Sequence, residues 1–133
     1  DNVFTAQFIG TPPMNILPLP GGRVFGYRPE TVEMSAEKPA GDNAYRVRGM
    51  VLTREMMGSE TIYKVRLGEG MHKGETVMIK SHNYRFRIED EVYLSVPDDA
   101  LYFFAENKQR LRPGTDGERL SLLRTVSEAV RDA

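Results

Sequence analysis

The chain has 133 residues, enough for one compact domain with a buried core and too few for a second large one. Its 18 Lys+Arg and 19 Asp+Glu nearly cancel, so strong non-specific attraction to nucleic acid or to an anionic membrane is not expected. Cysteine is absent, which excludes disulfides, thiolate metal sites and thiol nucleophiles, and no run approaches the roughly 20 apolar residues of a membrane span.

In chain order, Phe4 and Phe8 lie four apart behind Asp1 or Asn2, a spacing that predicts a short N-terminal helix over 1–9. The density of Pro12, Pro13, Pro18 and Pro20 with Gly21 and Gly22 then blocks helix and suits an extended edge segment ending in a turn, anchored by Met14, Ile16 and Leu17. Val24, Phe25 and Tyr27 form a short strand that stops at Pro29, and 37–43 reads as a solvated loop. Tyr45, Val47, Gly49 and Val51 alternate with Arg46, Arg48 and Met50, the period of a strand with one polar face. A turn at Gly58-Ser59 separates it from Ile62, Val65 and Leu67, predicting an antiparallel hairpin. Gly68, Gly70 and Gly74 punctuate the next connection. A strand begins at Val77 to Ile79, and Phe86, Ile88, Val92, Leu94 and Val96 carry the pattern on to Pro97. Short strands with closely spaced turn signals predict a small barrel or sandwich. Beyond Pro113, Thr115 and Glu118 have capping-box spacing while Leu122, Val126 and Val130 recur every fourth residue, predicting a C-terminal helix.

Few residues carry chemistry. No Gly-x-x-x-x-Gly-Lys-Ser/Thr loop is present to wrap phosphates in backbone N–H groups, and Gly68-Glu69-Gly70 is too short for that role. His72 and His82 stand in no metal-ligand spacing and are expected at the surface. Glu89, Asp90 and Glu91 form a charged run at the turn before a strand, and no serine lies in a nucleophile elbow. Lys80, His82, Tyr84, Arg85, Phe86 and Arg87 interleave cations with aromatics, as single-strand-binding barrels can. The competing expectation, favoured by the near-neutral total charge, is that Phe86 packs inward while the cations decorate the surface. Met56 and Met57 either pack in the core or at its rim, the favoured expectation, or form an adaptable contact surface.

Three motifs occur in order: Phe8-Ile9-Gly10-Thr11-Pro12-Pro13-Met14-Asn15-Ile16-Leu17, Gly26-Tyr27-Arg28-Pro29-Glu30 and Glu55-Met56-Met57-Gly58-Ser59-Glu60-Thr61. With Asp90-Glu91-Val92-Tyr93-Leu94-Ser95 and Leu101-Tyr102-Phe103-Phe104, this set resembles the C-terminal accessory (TOBE, oligonucleotide-binding-type) domain of carbohydrate-type ABC importer ATP-binding subunits, the maltose and glycerol-phosphate transporter relatives. Tyr27 stands where Ile or Val is usual, and Leu101-Tyr102-Phe103-Phe104 replaces a more common His-Leu-Phe ending. The resemblance implies a mainly β fold, an OB-like small β-barrel with extra strands over 1–112, followed by a helical extension over 113–133 that lies outside the shared pattern.

What the resemblance implies for function is a non-catalytic regulatory and dimerisation domain. Its implied partners are a second copy of the same subunit, an ATPase domain preceding Asp1, membrane permease subunits reached through the full-length protein, and a regulatory protein. No cofactor is expected on this chain, ATP and Mg²⁺ belonging to the preceding domain, and the implied location is the cytoplasmic face of the membrane. Arg28 and Glu30 either end a strand with an outward ion pair or make an interdomain contact. Ser59 and Glu60 either close a hairpin or reach the subunit contact. Two other readings compete: a single-stranded nucleic-acid-binding module using Lys80 to Arg87, and a small-ligand or oxyanion sensor, against which no anion-cradling run of Gly and Ser is found.

Overall fold

The computed structural model describes residues 12–105, 107, 109–111, 114 and 116–132. The predicted helix over 1–9 and Thr115 of the predicted capping box lie outside the described residues. The strands are β1 (Asn15–Pro18), β2 (Val24–Tyr27), β3 (Glu33–Ser35), β4 (Tyr45–Met57), β5 (Glu60–Leu67), β6 (Thr76–Ser81), β7 (Glu91–Val96), β8 (Tyr102–Phe104) and β9 (Arg110–Leu111), followed by helix α1 (Asp116–Val130). They form two antiparallel sheets, a four-stranded one in the order β1-β2-β8-β9 and a five-stranded one in the order β3-β7-β4-β5-β6.

The long strand β4 organises the larger sheet because it pairs with β7 through its first half and with β5 through its second. Its alternation is as the sequence predicts: Tyr45, Val47, Gly49 and Val51 are buried, and Arg46, Arg48 and Met50 face outward. Gly58 takes φ 68 at the hairpin tip while Ser59 does not share that region, the pattern of a two-residue turn with glycine first, which matches the twist of the flanking strands. A register shift between Val51 and Thr53 inserts one residue, so Arg54 pairs with Tyr63 on the inward side. There its guanidinium donates to the carbonyls of Tyr84 (3.1 Å) and Phe86 (2.7 Å).

The five strands curl into a half-barrel rather than a ring closed by ladders; among the described residues no ladder joins β3 to β6. The gap is covered in two ways. The 3-10 turn Pro29–Thr31, immediately before β3, packs against β6. Asn15 of β1 meets the free edge of β6 at Met78, its Nδ2 donating to the Met78 carbonyl and its Oδ1 accepting from the Met78 N–H, both at 2.8 Å. One side chain thus satisfies the pair of backbone groups that a neighbouring strand would satisfy, which blunts an edge otherwise open to pairing.

Both sheets and α1 share one core. Phe25 and Tyr27 of β2, Tyr45 and Val47 of β4, Leu94 and Val96 of β7 and Phe103 of β8 belong to the same buried cluster as Leu122, Val126 and Val130 of α1. The helix therefore seals the half-barrel with the apolar stripe its four-residue spacing predicts.

Several expectations are corrected. His72 is buried at 1% exposure, because its Nε2–H reaches the Pro18 carbonyl (2.6 Å) and its ring packs on Phe25 at 5.7 Å. Ile88 is 58% exposed, since the strand predicted to run from Phe86 begins only at Glu91. Residues 82–90 instead form a connection whose end lies alongside β4, just beyond the Met50–Glu91 pair, held by Glu89 N–H to the Val51 carbonyl (2.7 Å) and Val51 N–H to the Asp90 carbonyl (3.0 Å). Met56 and Met57 are exposed, at the hairpin tip where β4 pairs with β5 and the β7 ladder, which stops at Met50, no longer flanks it. Phe86 packs inward against Tyr63 as expected, edge to face at 6.0 Å.

Candidate interaction surfaces

Among the described residues no group of three or more His, Asp or Glu side chains is placed to hold a metal ion, and no helix is long and apolar enough to cross a membrane. Among the described residues the buried titratable side chains are Tyr27, Tyr45, Tyr63 and His72. Tyr27 and Tyr45 are fully buried with their hydroxyls 2.6 Å apart and their rings 4.7 Å apart. Burial, then the neighbouring Tyr45, pushes the Tyr27 hydroxyl well above its ordinary pKa, and burial pushes Tyr45 up in turn. Both remain protonated at neutral pH and act as core packing tied by one hydrogen bond, not as acid–base groups.

What remains is surface. Arg28 precedes the Pro29–Thr31 turn, its carbonyl accepting from the Thr31 N–H (3.0 Å) and Thr31 hydroxyl (2.6 Å). Its guanidinium lies over the Tyr102 ring at 5.8 Å, and Arg110 approaches the same ring at 4.5 Å. The motif ends β2 at Tyr27 as expected, but no ion pair between Arg28 and Glu30 forms among the described residues; Pro29 is buried and Glu30 is exposed. Ser59 is exposed at the hairpin tip, and Glu60 pairs with Lys80 of β6 at 3.3 Å, both side chains about one third exposed. The two motifs converge on one strand, since the turn carrying Glu30 packs on β6 and Glu60 reaches Lys80 of β6. No hydrogen bond or ion pair joins Arg28 or Glu30 to Ser59 or Glu60 among the described residues.

The 82–90 segment starts at the end of β6, which pairs with β5 near the hairpin tip; it exposes Tyr84 and Ile88, and the tip itself exposes Met56 and Met57. Arg54 lies over the Tyr84 ring at 3.8 Å and Arg85 over Phe86 at 4.7 Å, so these cations already occupy one face of each ring. That arrangement leaves less stacking surface than the sequence pattern offers to a nucleic-acid base.

At the opposite side of the half-barrel, α1 is fastened by its last turn. The Met71 N–H caps the Ala129 carbonyl (2.8 Å), the Gly70 N–H donates to Asp132 (2.9 Å), and Arg131 donates to the carbonyls of Ala44 (2.9 Å) and Arg46 (3.3 Å). These contacts supply the partners that the end of a helix lacks. Neither this fastening nor Asn15 on β6 carries a local sequence signal, because each joins residues far apart in the chain.

Residues 25–104, the span from the aromatic strand β2 to the end of β8, match the TOBE domain family. The chain belongs to this family. The TOBE domain described here is 37% identical over 84 residues to the sn-glycerol-3-phosphate import ATP-binding protein UgpC 3 of Rhizobium etli, an alignment covering 52% of this chain and 23% of that protein. It thus spans less than a quarter of that relative's length. Among solved structures it is similar to the molybdate-bound form of the cytoplasmic molybdate-binding protein ModG, with a TM-score of 0.52 and 9% identity over 62% of this chain and 61% of that one. At that identity the likeness is one of fold: mainly β, a half-barrel with a second sheet.

Proposed function

We propose that this TOBE domain is the non-catalytic accessory part of the ATP-binding subunit of a bacterial ABC importer for a sugar or related solute. Its work is to hold two such subunits together and to receive regulatory signals. The observation that carries the reading is the similarity to an import ATP-binding protein over the TOBE segment, in a chain without a phosphate-binding loop. ATP and Mg²⁺ belong, in this reading, to a preceding domain that docks on the permease at the cytoplasmic face of the membrane. Arg28, Glu30, Ser59 and Glu60, two motifs that meet on β6, are the contact to a second copy or to the ATPase domain. A tether through such a surface keeps two ATPase domains at high effective concentration while they separate and close during transport.

The test joins this chain to the ATPase domain of an import subunit and measures dimerisation by sedimentation with and without Glu30→Lys and Glu60→Lys. The expected outcome is a dimer whose association weakens about tenfold in the double variant, with unchanged thermal stability. ATP hydrolysis by the chain on its own, or an unaltered dimer in the double variant, would sink the reading. A second reading, an oxyanion sensor, is favoured by the ModG fold. Thermal shift with molybdate and sulfate tests it through linkage, and no shift is expected.

A further inference from the structure

The outward side chains of β4 lead to a different surface. Two hollows adjoin there, one of ≈ 650 Å³ and one of ≈ 240 Å³, and both are bordered by Arg48 and Tyr93. Together they make one groove across the polar face of β4 and β7. Lys38, Arg46, Arg48, Arg66, Lys73 and Arg131 line it. Three carboxylates, Glu69, Glu91 and Asp132, stand on its walls, so the groove holds an excess of cations on a chain whose net charge is −1.

That excess is not neutralised internally. Among the described residues Lys38, Arg66 and Lys73 have no carboxylate within ion-pair distance, and Arg48 has Asp132 at 3.6 Å with both side chains more than half exposed. Arg46 donates to the carbonyls of Asn43 and Gly41, both at 2.8 Å, and Arg131 to those of Ala44 and Arg46, partners that carry no compensating charge. Burial and then the Arg46 charge lower the Arg131 pKa, with Glu69 acting the other way, so guanidinium groups repel one another at this end. A wall of like charge beside a low-dielectric sheet focuses positive potential into the cleft.

Spacing decides what such a groove fits. Arg46 and Arg48 are two residues apart on one strand face, a repeat of about 6.8 Å. Arg66 lies one strand over, directly opposite Met50, whose other neighbour is Glu91. A single small oxyanion cannot span charges placed at that interval. An extended peptide with carboxylates at alternate positions has the same repeat, and arginine forks match carboxylates in geometry. Met50 and Tyr93, half-buried on the floor, offer apolar contact to the intervening aliphatic atoms. A single-stranded nucleic acid fits less well, because the groove offers one half-buried aromatic ring and no stacking platform for its bases.

From this arrangement we infer that the groove over β4 and β7 is a docking site for an extended acidic segment of a partner protein, with Arg46, Arg48, Arg66 and Lys73 receiving its carboxylates. Asp132 is the internal precedent, a carboxylate already resting beside Arg48. The site is separate from the β6 surface and stands whether or not that surface mediates dimerisation.

The experiment is a fluorescence-anisotropy titration of the chain with a labelled peptide of alternating glutamate and serine at low salt. A lysine–serine peptide, sulfate and a single-stranded oligonucleotide serve as separate arms. Binding of the acidic peptide alone is expected, weakening as the Debye length shrinks with added salt. Arg66→Glu with Lys73→Glu, both at exposed positions, should weaken it at least about tenfold, and Arg66→Gln with Lys73→Gln should weaken it less. Arg85→Glu, outside the groove, should leave it unchanged. Asp132→Asn, which removes the resident carboxylate yet keeps an acceptor for the Gly70 N–H, should tighten it about threefold. The proposal is overturned by no peptide binding at low salt, by equal binding to the glutamate double variant, or by tighter binding of sulfate or the oligonucleotide than of the peptide.

Discussion

The half-barrel has two ends of opposite construction. At one end the last turn of α1 is bolted to the loop between β5 and β6. At the other the β4–β5 hairpin tip and the 82–90 segment leave Met56, Met57, Tyr84 and Ile88 exposed. Each end contains a glycine with positive φ, Gly70 (φ 74) at the first and Gly58 (φ 68) at the second. A Cβ on Gly70 would lie 2.4 Å from the carbonyl carbon and oxygen of Val130, whereas a Cβ on Gly58 would meet nothing within 4 Å. The same backbone requirement therefore carries different weight. At the hairpin it is a matter of local turn energy, and at the helix it decides whether two segments can touch.

Paired substitutions break this comparison most directly. Gly70→Ala is expected to lower the unfolding free energy by roughly 3 kcal/mol, since strain and overlap with backbone add. Gly58→Ala should cost only about 1 kcal/mol from strain alone. Urea unfolding measures both, and equal losses would mean that the α1 seam yields easily. Next in size, Asn15→Ala leaves the Met78 N–H and carbonyl without their partner and should cost about 2 kcal/mol.

A third effect sharpens the contrast by pH. Tyr27 and Tyr45 have raised pKa values in the folded state, so the unfolded chain loses these protons first. Their contribution is fully present below the unfolded tyrosine pKa of about 10 and is lost as pH rises beyond it. Tyr27→Phe should make the stability of the chain fall less steeply above that pH, as read from melting temperatures across an alkaline series. The smallest effect is expected at the exposed end. Ile88→Ser with Met57→Ser should change stability by less than about 0.5 kcal/mol, a result that a hidden packing role for either side chain would contradict.

Much of this fold was legible because one-sided strands advertise themselves. The alternation from Tyr45 to Val51 predicted β4 and its faces, and the stripe Leu122, Val126, Val130 predicted the buried side of α1. The same rule misled at Phe86 to Val96, where period-two spacing runs on through a connection whose backbone meets that of β4 at Glu89 and Asp90, in an irregular pair of bonds to Val51 beyond the regular ladder. His72 was misplaced because a lone histidine carries no local sign of burial, and its partner Pro18 is 54 residues away. Asn15 mimics a strand edge 63 residues distant, which no window of sequence displays. The groove has no local signature for a related reason: Arg48, Arg66 and Lys73 belong to different segments, and only strand register and the glycine-bounded loop bring them to one cleft.

The family match ends at residue 104, yet the interior does not. Val126 and Val130 are at 0% and 1% exposure within the same cluster as Phe25 and Tyr45, while β1 and β9 flank the matched strands of the smaller sheet. A piece trimmed to the matched residues would open both edges of the β2–β8 pair and strip the apolar lid from the half-barrel. The interior is therefore completed by α1 and β1, which lie outside residues 25–104.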